Sequence, residues 1–164
     1  ALLKDQYPDW SLQIWGGYQN PTYTNLVNSI IKEHHLESCV KLCGQTDRVD
    51  EKLKHASIFA FPSRTEGFPL SLTEAMAHGL PAVGCKKCPS VNSLIRDGVN
   101  GVLCEDTPEG LALGLSKLMS NETLRIQLGN QAKEDMKVFS PDVIWQQWEK
   151  LLLSVVNSDK NVRP

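Results

Sequence analysis

The chain has 164 residues, 41% hydrophobic and 22% charged, which fits one soluble globular domain with a proper core. A formal net charge of −2 supplies no positive field for nucleic acid or for an anionic membrane surface. The apolar cluster LLLSVV at 151–156 is far shorter than the ~20 residues a membrane-spanning helix needs.

The elements alternate along the chain. The opening ALLKDQYPDW has no methionine and no charged-then-apolar leader, and it reads as the tail of a helix. The expectation is therefore a segment of a longer protein. SLQIWGG (11–17) is a short apolar strand closed by two glycines, and TNLVNSIIKEHHLE (24–37) carries apolar residues at helical spacing, with Pro21 and Thr22 as start signals. CVKLCG (39–44) is a strand, and RVDEKLKHA (48–56) a short polar helix. SIFAFPS (57–63) is almost wholly apolar, as a strand buried on both faces should be. A helix follows over 70–78, closed by Gly79 as its C′ residue. LPAVGC (80–85) is the next buried strand, SVNSLIRDG (90–98) a helix ending at Gly98, and NGVLCE (100–105) the last strand. Three helices close the chain at 108–120, 122–139 and 141–156, and the polar NSDKNVRP end is expected to fray.

This order predicts a single α/β domain over 1–164, with a parallel sheet and a helical C-terminal end. In such sheets ligands bind beyond the carboxyl ends of the strands. That rule selects the loops GGYQN (16–20), GQTDR (44–48) and SRTEGFP (63–69). The five cysteines include the close pairs Cys39/Cys43 and Cys85/Cys88, a spacing zinc can use. The preferred reading of the first pair is small apolar side chains on one strand face. No secretory leader is visible, so a reducing cytoplasm is the expected compartment. His34, His35 and His78 read as structural or exposed. Trp145, Trp148, Leu151 and Leu152 form a helical stripe that reads as core.

RTEGFPLSLTEAM (64–76) sets Glu66 and Glu74 around a Gly-Phe-Pro turn at a helix start. Gly67 lets a ligand approach the backbone, and Pro69 suits the first helical turn. The N–H groups of Gly67, Phe68, Leu70 and Ser71 then point from the positive end of the helix, which suits phosphate. Carboxylates beside phosphate make sense if they accept hydrogen bonds from the hydroxyls of a ribose or a hexose. A sugar–diphosphate–ribose ligand has that layout, with Arg64 offsetting phosphate charge. Taken singly, Glu66 reads as a first-turn acid worth about 0.3–1 kcal/mol and Glu74 as a surface helix former. The full string in its strand–loop–helix setting weakens that plain reading.

FPSRTEGFPLSLTEAMAHGLPAV (61–83) resembles the donor-binding signature of retaining glycosyltransferases of the GT-B fold, in which seven residues separate two glutamates. LIRDGVNGVLC (94–104) resembles that family's next landmark, and the similarity runs to about Leu153. The resemblance implies a Rossmann-like second half-domain, with 141–157 as a helix that crosses back to the first domain, so that part of the Trp145–Leu152 stripe is expected to be exposed here. It implies a UDP- or GDP-sugar as donor, no cofactor and no metal ion, and a glycan or lipid-linked acceptor held by an N-terminal domain. Glu66 would hold hydroxyls of the transferred sugar and Glu74 those of the ribose. The amides of Gly67, Phe68 and Leu70 would hold the distal phosphate or sugar, with Gln45, Thr46 and Val49 bordering the base.

Departures from the pattern are specific. The chain begins after the strand and loop that usually supply basic residues for the diphosphate, and that strand normally lies mid-sheet. The fragment alone is expected to bind donor weakly, to catalyse nothing, and to self-associate through apolar surface left bare. Within KKCPSVNSLI (86–95), Ser93 stands where the family commonly has a glutamate, and Lys86 and Lys87 compensate in charge. Peripheral association of the whole enzyme with the inner face of the membrane is compatible with the resemblance. Two other classes compete. A non-catalytic nucleotide-sugar-binding or assembly domain would keep the fold without turnover. A dinucleotide oxidoreductase needs G-x-G-x-x-G after the first strand, and GGYQNP (16–21) lacks it.

Overall fold

Strand β1 (Leu12–Trp15) pairs in parallel with β2 (Val40–Gly44), and helix α1 (Pro21–Glu33) connects them. Helix α2 (Val49–Lys54) leads to β3 (Phe59–Phe61), α3 (Leu70–Ala77), β4 (Ala82–Cys85), the single turn α4 (Pro89–Asn92) and β5 (Gly101–Cys104). The last three strands form a second parallel ladder in the order β3-β4-β5, with Phe59 opposite Ala82 and Ala82 opposite Gly101. Helices α5 (Pro108–Met119) and α6 (Glu122–Met136), a 3-10 turn (Lys137–Phe139) and α7 (Pro141–Lys160) complete the chain. This computed structural model describes residues 1–17 and 20–160, with side chains to Asn157. Tyr18 and Gln19 of the first predicted loop, and the 161–164 tail, lie outside the described residues. The α/β class with parallel strands flanked by helices agrees with the sequence.

The core is built on both faces of β4, whose four residues are all buried. Ala82 packs on one face with Leu72 and Met76 of α3 and with Ala132 and Met136 of α6. Val83 and Cys85 pack on the other with Val102 and Cys104 of β5, Leu118 of α5 and Leu128 of α6. Full burial of a side chain such as Leu72 or Met76 stabilises by about 1.5–3 kcal/mol. Helices α3 and α6 approach closely at Gly129, where a Cβ would lie 2.1 Å from the Gly79 carbonyl oxygen. Gly79 has φ +82°, and the amides of Gly79 and Leu80 donate to the carbonyls of Met76 and Ala75. This left-handed termination ends α3 where the sequence placed it.

Four expectations change. The predicted strand 57–63 shrinks to β3, whose residues are only half-buried, because β3 is the edge of its ladder and pairs with β4 alone. The predicted helix 90–98 stops at Asn92. The buried Asn100 accounts for this: its Nδ2 donates to the Leu94 carbonyl at 2.9 Å, and its Oδ1 accepts from the Arg96 amide at 2.7 Å. A side chain thus captures backbone groups that a continuing helix would have paired. Helix α1 starts earlier than predicted, with Pro21 as first residue and Asn20 as N-cap, and ends at Glu33 because His35 takes φ 50°. The Trp145–Leu152 stripe, whose spacing reads as core, is exposed among the described residues, further than the partial exposure expected of a crossover helix. Trp145 is 71% and Trp148 53% exposed, because α7 meets the rest of the fold chiefly at the 3-10 turn before it. No helix among the described residues is long and apolar enough to cross a membrane.

Candidate functional site

The loop from β3 to α3 carries Arg64, Glu66, Gly67 and Phe68, and it is tied down at several points. The Ser63 hydroxyl donates to Glu66 Oε1 at 2.6 Å. The Ser90 hydroxyl, at the start of α4, donates to the Glu66 carbonyl at 3.1 Å. Arg64 Nε donates to Asp106 Oδ1 at 2.8 Å, which ties the loop to the end of β5. Phe68 is anchored edge-on against Phe139, with ring centroids 5.5 Å apart. Glu66 is therefore half-buried and held, whereas Glu74 is exposed, and its carboxylate makes no hydrogen bond or ion pair among the described residues.

Helix α3 begins at Leu70, and Pro69 stands at its N-cap rather than inside the first turn. A proline has no side-chain acceptor for the first amides, so the helix start is left uncapped. The Leu70 amide donates to the Phe68 carbonyl at 3.0 Å, so it is not among the free donors the sequence suggested. The amides of Gly67, Phe68 and Ser71 donate to nothing among the described residues. A Cβ at Gly67 would meet no atom within 4 Å, and Gly67 is not left-handed, so neither packing nor backbone geometry demands glycine there. Leu70, 66% exposed, and Glu74 are four residues apart and share one helix face, on which Leu70 stands clear of the core.

The second loop adjoins the first strand. A Cβ at Gly17 would lie 2.9 Å from Gln45 Nε2, so the ends of β1 and β2 are in contact there. Thr46 Oγ1 accepts from the Arg48 amide at 3.0 Å and shapes the entry to α2, whose first residue is the exposed Val49. Helix α2 docks beside α3: Leu53 packs with Ala75 and Leu80, and Asp50 lies 3.4 Å from His78 Nε2. These contacts set α2 beside the C-terminal end of α3, not beside its start. No hydrogen bond links Gln45, Thr46 or Val49 to Glu66 or Glu74 among the described residues.

Two exposed cations near this end, Arg64 and Lys86, already have acidic partners, and the exposed Lys87 has no ion pair among the described residues. Lys86 Nζ lies 3.1 Å from Glu105, next to the Arg64–Asp106 pair. Ser93, in the place of the family glutamate, donates to the Ser90 carbonyl at 2.7 Å and so braces the turn that holds Glu66. No group of three or more metal-ligating side chains gathers among the described residues. Cys39 donates to the Leu36 carbonyl just before β2, and Cys43 is half-buried within it. Cys85 and Cys104 face each other across β4 and β5. Burial, then the neighbouring Cys85, pushes the Cys104 thiol up to about 11, and burial likewise raises Cys85, so both are protonated at neutral pH.

Sequence reasoning gave no role to Ser63 or Ser90. The Ser-x-x-Glu spacing of Ser63 and Glu66, a capping-box pattern, was a readable signal for the first. Ser90 is 24 residues from Glu66, and only the folded chain joins them.

Residues 1–135 match the family described as glycosyl transferases group 1. An uncharacterized glycosyltransferase of Haemophilus influenzae is 33% identical over 153 residues, which cover 92% of this chain and 42% of that protein. An exopolysaccharide phosphotransferase of Streptomyces coelicolor is 36% identical over 160 residues, 96% of this chain and 17% of its own length. Among solved structures, HepE of Anabaena in complex with UDP superposes with a TM-score of 0.84 at 23% identity, over 90% of this chain and 42% of that one, a likeness of fold. The chain spans less than half the length of these relatives. It shares the GT-B architecture and belongs to the glycosyl transferases group 1 family.

Proposed function

We propose that this chain is the donor-binding part of a glycosyltransferase that moves a sugar from a UDP- or GDP-sugar to a glycan or lipid-linked acceptor with retention of configuration. In this reading Glu66 accepts hydroxyls of the transferred sugar and Glu74 accepts those of the ribose. The free amides of Gly67 and Phe68, at the positive start of α3, face the diphosphate. Arg64 adds charge there by leaving Asp106. An exposed ion pair of that kind is worth only about 0–1 kcal/mol, so the exchange is inexpensive. Gln45, Thr46 and Val49 border the base. The acceptor is held by the rest of the protein, at the cytoplasmic face of the membrane.

The observation that carries this reading is the contrast between the two glutamates at one uncapped helix start. Glu66 is clamped by Ser63, while Glu74 is an exposed carboxylate without a partner. The complex of HepE with UDP supports a uridine nucleotide as ligand of this fold. Thermal-shift screening of the intact protein against a nucleotide-sugar panel identifies the donor, since a ligand that binds only the folded state raises the melting point. Glu66→Ala and Glu74→Ala then test the roles in a transfer assay with that donor.

A second reading makes the chain a non-catalytic nucleotide-sugar-binding or assembly part. The Streptomyces relative favours it, because its name is that of a phosphotransferase and this chain corresponds to only 17% of it. Nucleotide-sugar binding by the intact protein with no transfer from the bound donor supports this second reading, whereas undiminished turnover in both glutamate variants counts against the donor-site roles.

A further inference from the structure

We propose that Ser63 is a positioning residue that fixes which oxygen of the Glu66 carboxylate meets the donor sugar, with Ser90 holding the backbone of Glu66 in register. This rests on the reading of Glu66 as the ligand of the transferred sugar. The Ser63 hydroxyl has one proton and two acceptors in reach. Glu66 Oε1 is 2.6 Å away and the Thr65 carbonyl 3.3 Å, so the proton goes to the carboxylate. A hydroxyl-to-carboxylate bond of this length is charge-assisted and among the stronger side-chain bonds. It occupies a lone pair of Oε1 and leaves Oε2 to accept from a ligand.

The rest of the loop cannot rotate to compensate. Ser90 Oγ holds the Glu66 carbonyl at 3.1 Å and is itself 3.5 Å from the buried Cys88 sulfur, and Ser93 caps the Ser90 carbonyl. The carboxylate is thus fixed by one serine from its own loop, and its backbone by another from α4. An unrestrained glutamate would instead lose side-chain rotamer entropy when the sugar binds. Ser63 therefore acts on the sugar half of the donor and not on the nucleotide half.

That asymmetry makes the test. Binding of the preferred nucleotide sugar from a UDP- and GDP-sugar panel, and of its nucleoside diphosphate alone, is measured by calorimetry on the intact protein. Wild type is compared with Ser63→Ala, Ser63→Thr, Ser90→Ala and Glu66→Gln. Ser63→Ala is expected to weaken the nucleotide sugar by about 10-fold, the worth of one hydrogen bond to a charged group, and to leave the nucleoside diphosphate within about twofold. Ser63→Thr, which keeps the hydroxyl, restores sugar-nucleotide binding, and Ser90→Ala shows a weaker form of the Ser63→Ala pattern. Equal loss of both ligands in Ser63→Ala, or loss of neither, overturns the proposal. If Glu66→Gln keeps wild-type affinity for the nucleotide sugar, the donor reading itself has failed. If Glu66→Gln loses it while Ser63→Ala does not, only the positioning role has failed.

Discussion

The two ladders of this chain are built to different standards. Around β4 and β5, the strands are buried on both faces and the helices α3, α5 and α6 close over them. Around β1 and β2, every residue of β1 is exposed, and Tyr23, Leu26 and Ile30 of α1 face solvent. Among the described residues, the apolar side chains buried there reduce to Ile31 and Leu36. Burial is the main favourable term in folding, so local stability should differ accordingly. The proposed sugar-binding glutamate stands on the consolidated side, tied to α4 and β5. The loop with Gln45 and Thr46 rises from the sparse side. In the proposed reading, function is divided between a rigid platform for the sugar and a lighter wall for the base.

The largest expected effect comes from breaking the consolidated side. In Gly129→Ala the new methyl would press on the Gly79 carbonyl, a backbone atom that cannot move without separating α3 from α6. The loss of stability is expected at the upper end of the about 1–3 kcal/mol typical of overpacking, read as a lowered denaturant midpoint. A wild-type midpoint would show that the two helices are not in this contact.

The next effect is a pH dependence from the same core. The Cys104 thiol ionises near 9.0 in the unfolded chain and about 11 in the folded one. Below pH 9.0 both states keep the proton and its contribution is complete. Above that, the unfolded chain binds fewer protons, so stability falls as pH rises toward 11. Two pH units bound the loss at about 2.7 kcal/mol, and Cys104→Ala should flatten the curve over that interval. An unchanged slope in the variant would assign the dependence to other groups.

The smallest effect concerns the sparse side. His35 holds φ 50° where the amides of His35 and Leu36 close α1 on the carbonyls of Lys32 and Ile31. His35→Gly removes the side-chain cost of that conformation at some cost in unfolded-chain entropy, a net gain of up to about 1 kcal/mol. Hydrogen exchange in α1 should slow while exchange in β4 stays as it was. A change spread evenly over both ladders would argue that they unfold as one unit.

Much of the fold was legible because its signals are local. Gly44 and Gly79 stop their elements, Ala82–Cys85 is an unbroken apolar run, and the two glutamates bracket a helix start. What was misread depends on partners distant in the chain. The helix expected over 90–98 fails because Asn100 turns back onto Leu94 and Arg96. The strand at Phe59–Phe61 has a neighbour on one side only, which an apolar run cannot reveal. The Trp145–Leu152 stripe has core spacing but lies on a helix that projects from the fold. At the site, the glutamates were visible, and the clamp that Ser90 places on Glu66 was not, because it joins the β3–α3 loop to α4 only in the folded chain.

Glu66 and Glu74 are proposed to hold the two ends of one nucleotide sugar. The most direct measurement is the transfer rate of the intact protein carrying Glu66→Ala or Glu74→Ala, with melting curves run on the same samples. In each variant kcat/KM is expected to fall by at least about 100-fold while the melting temperature stays near wild type. Undiminished turnover in both, in protein that melts normally, would contradict it.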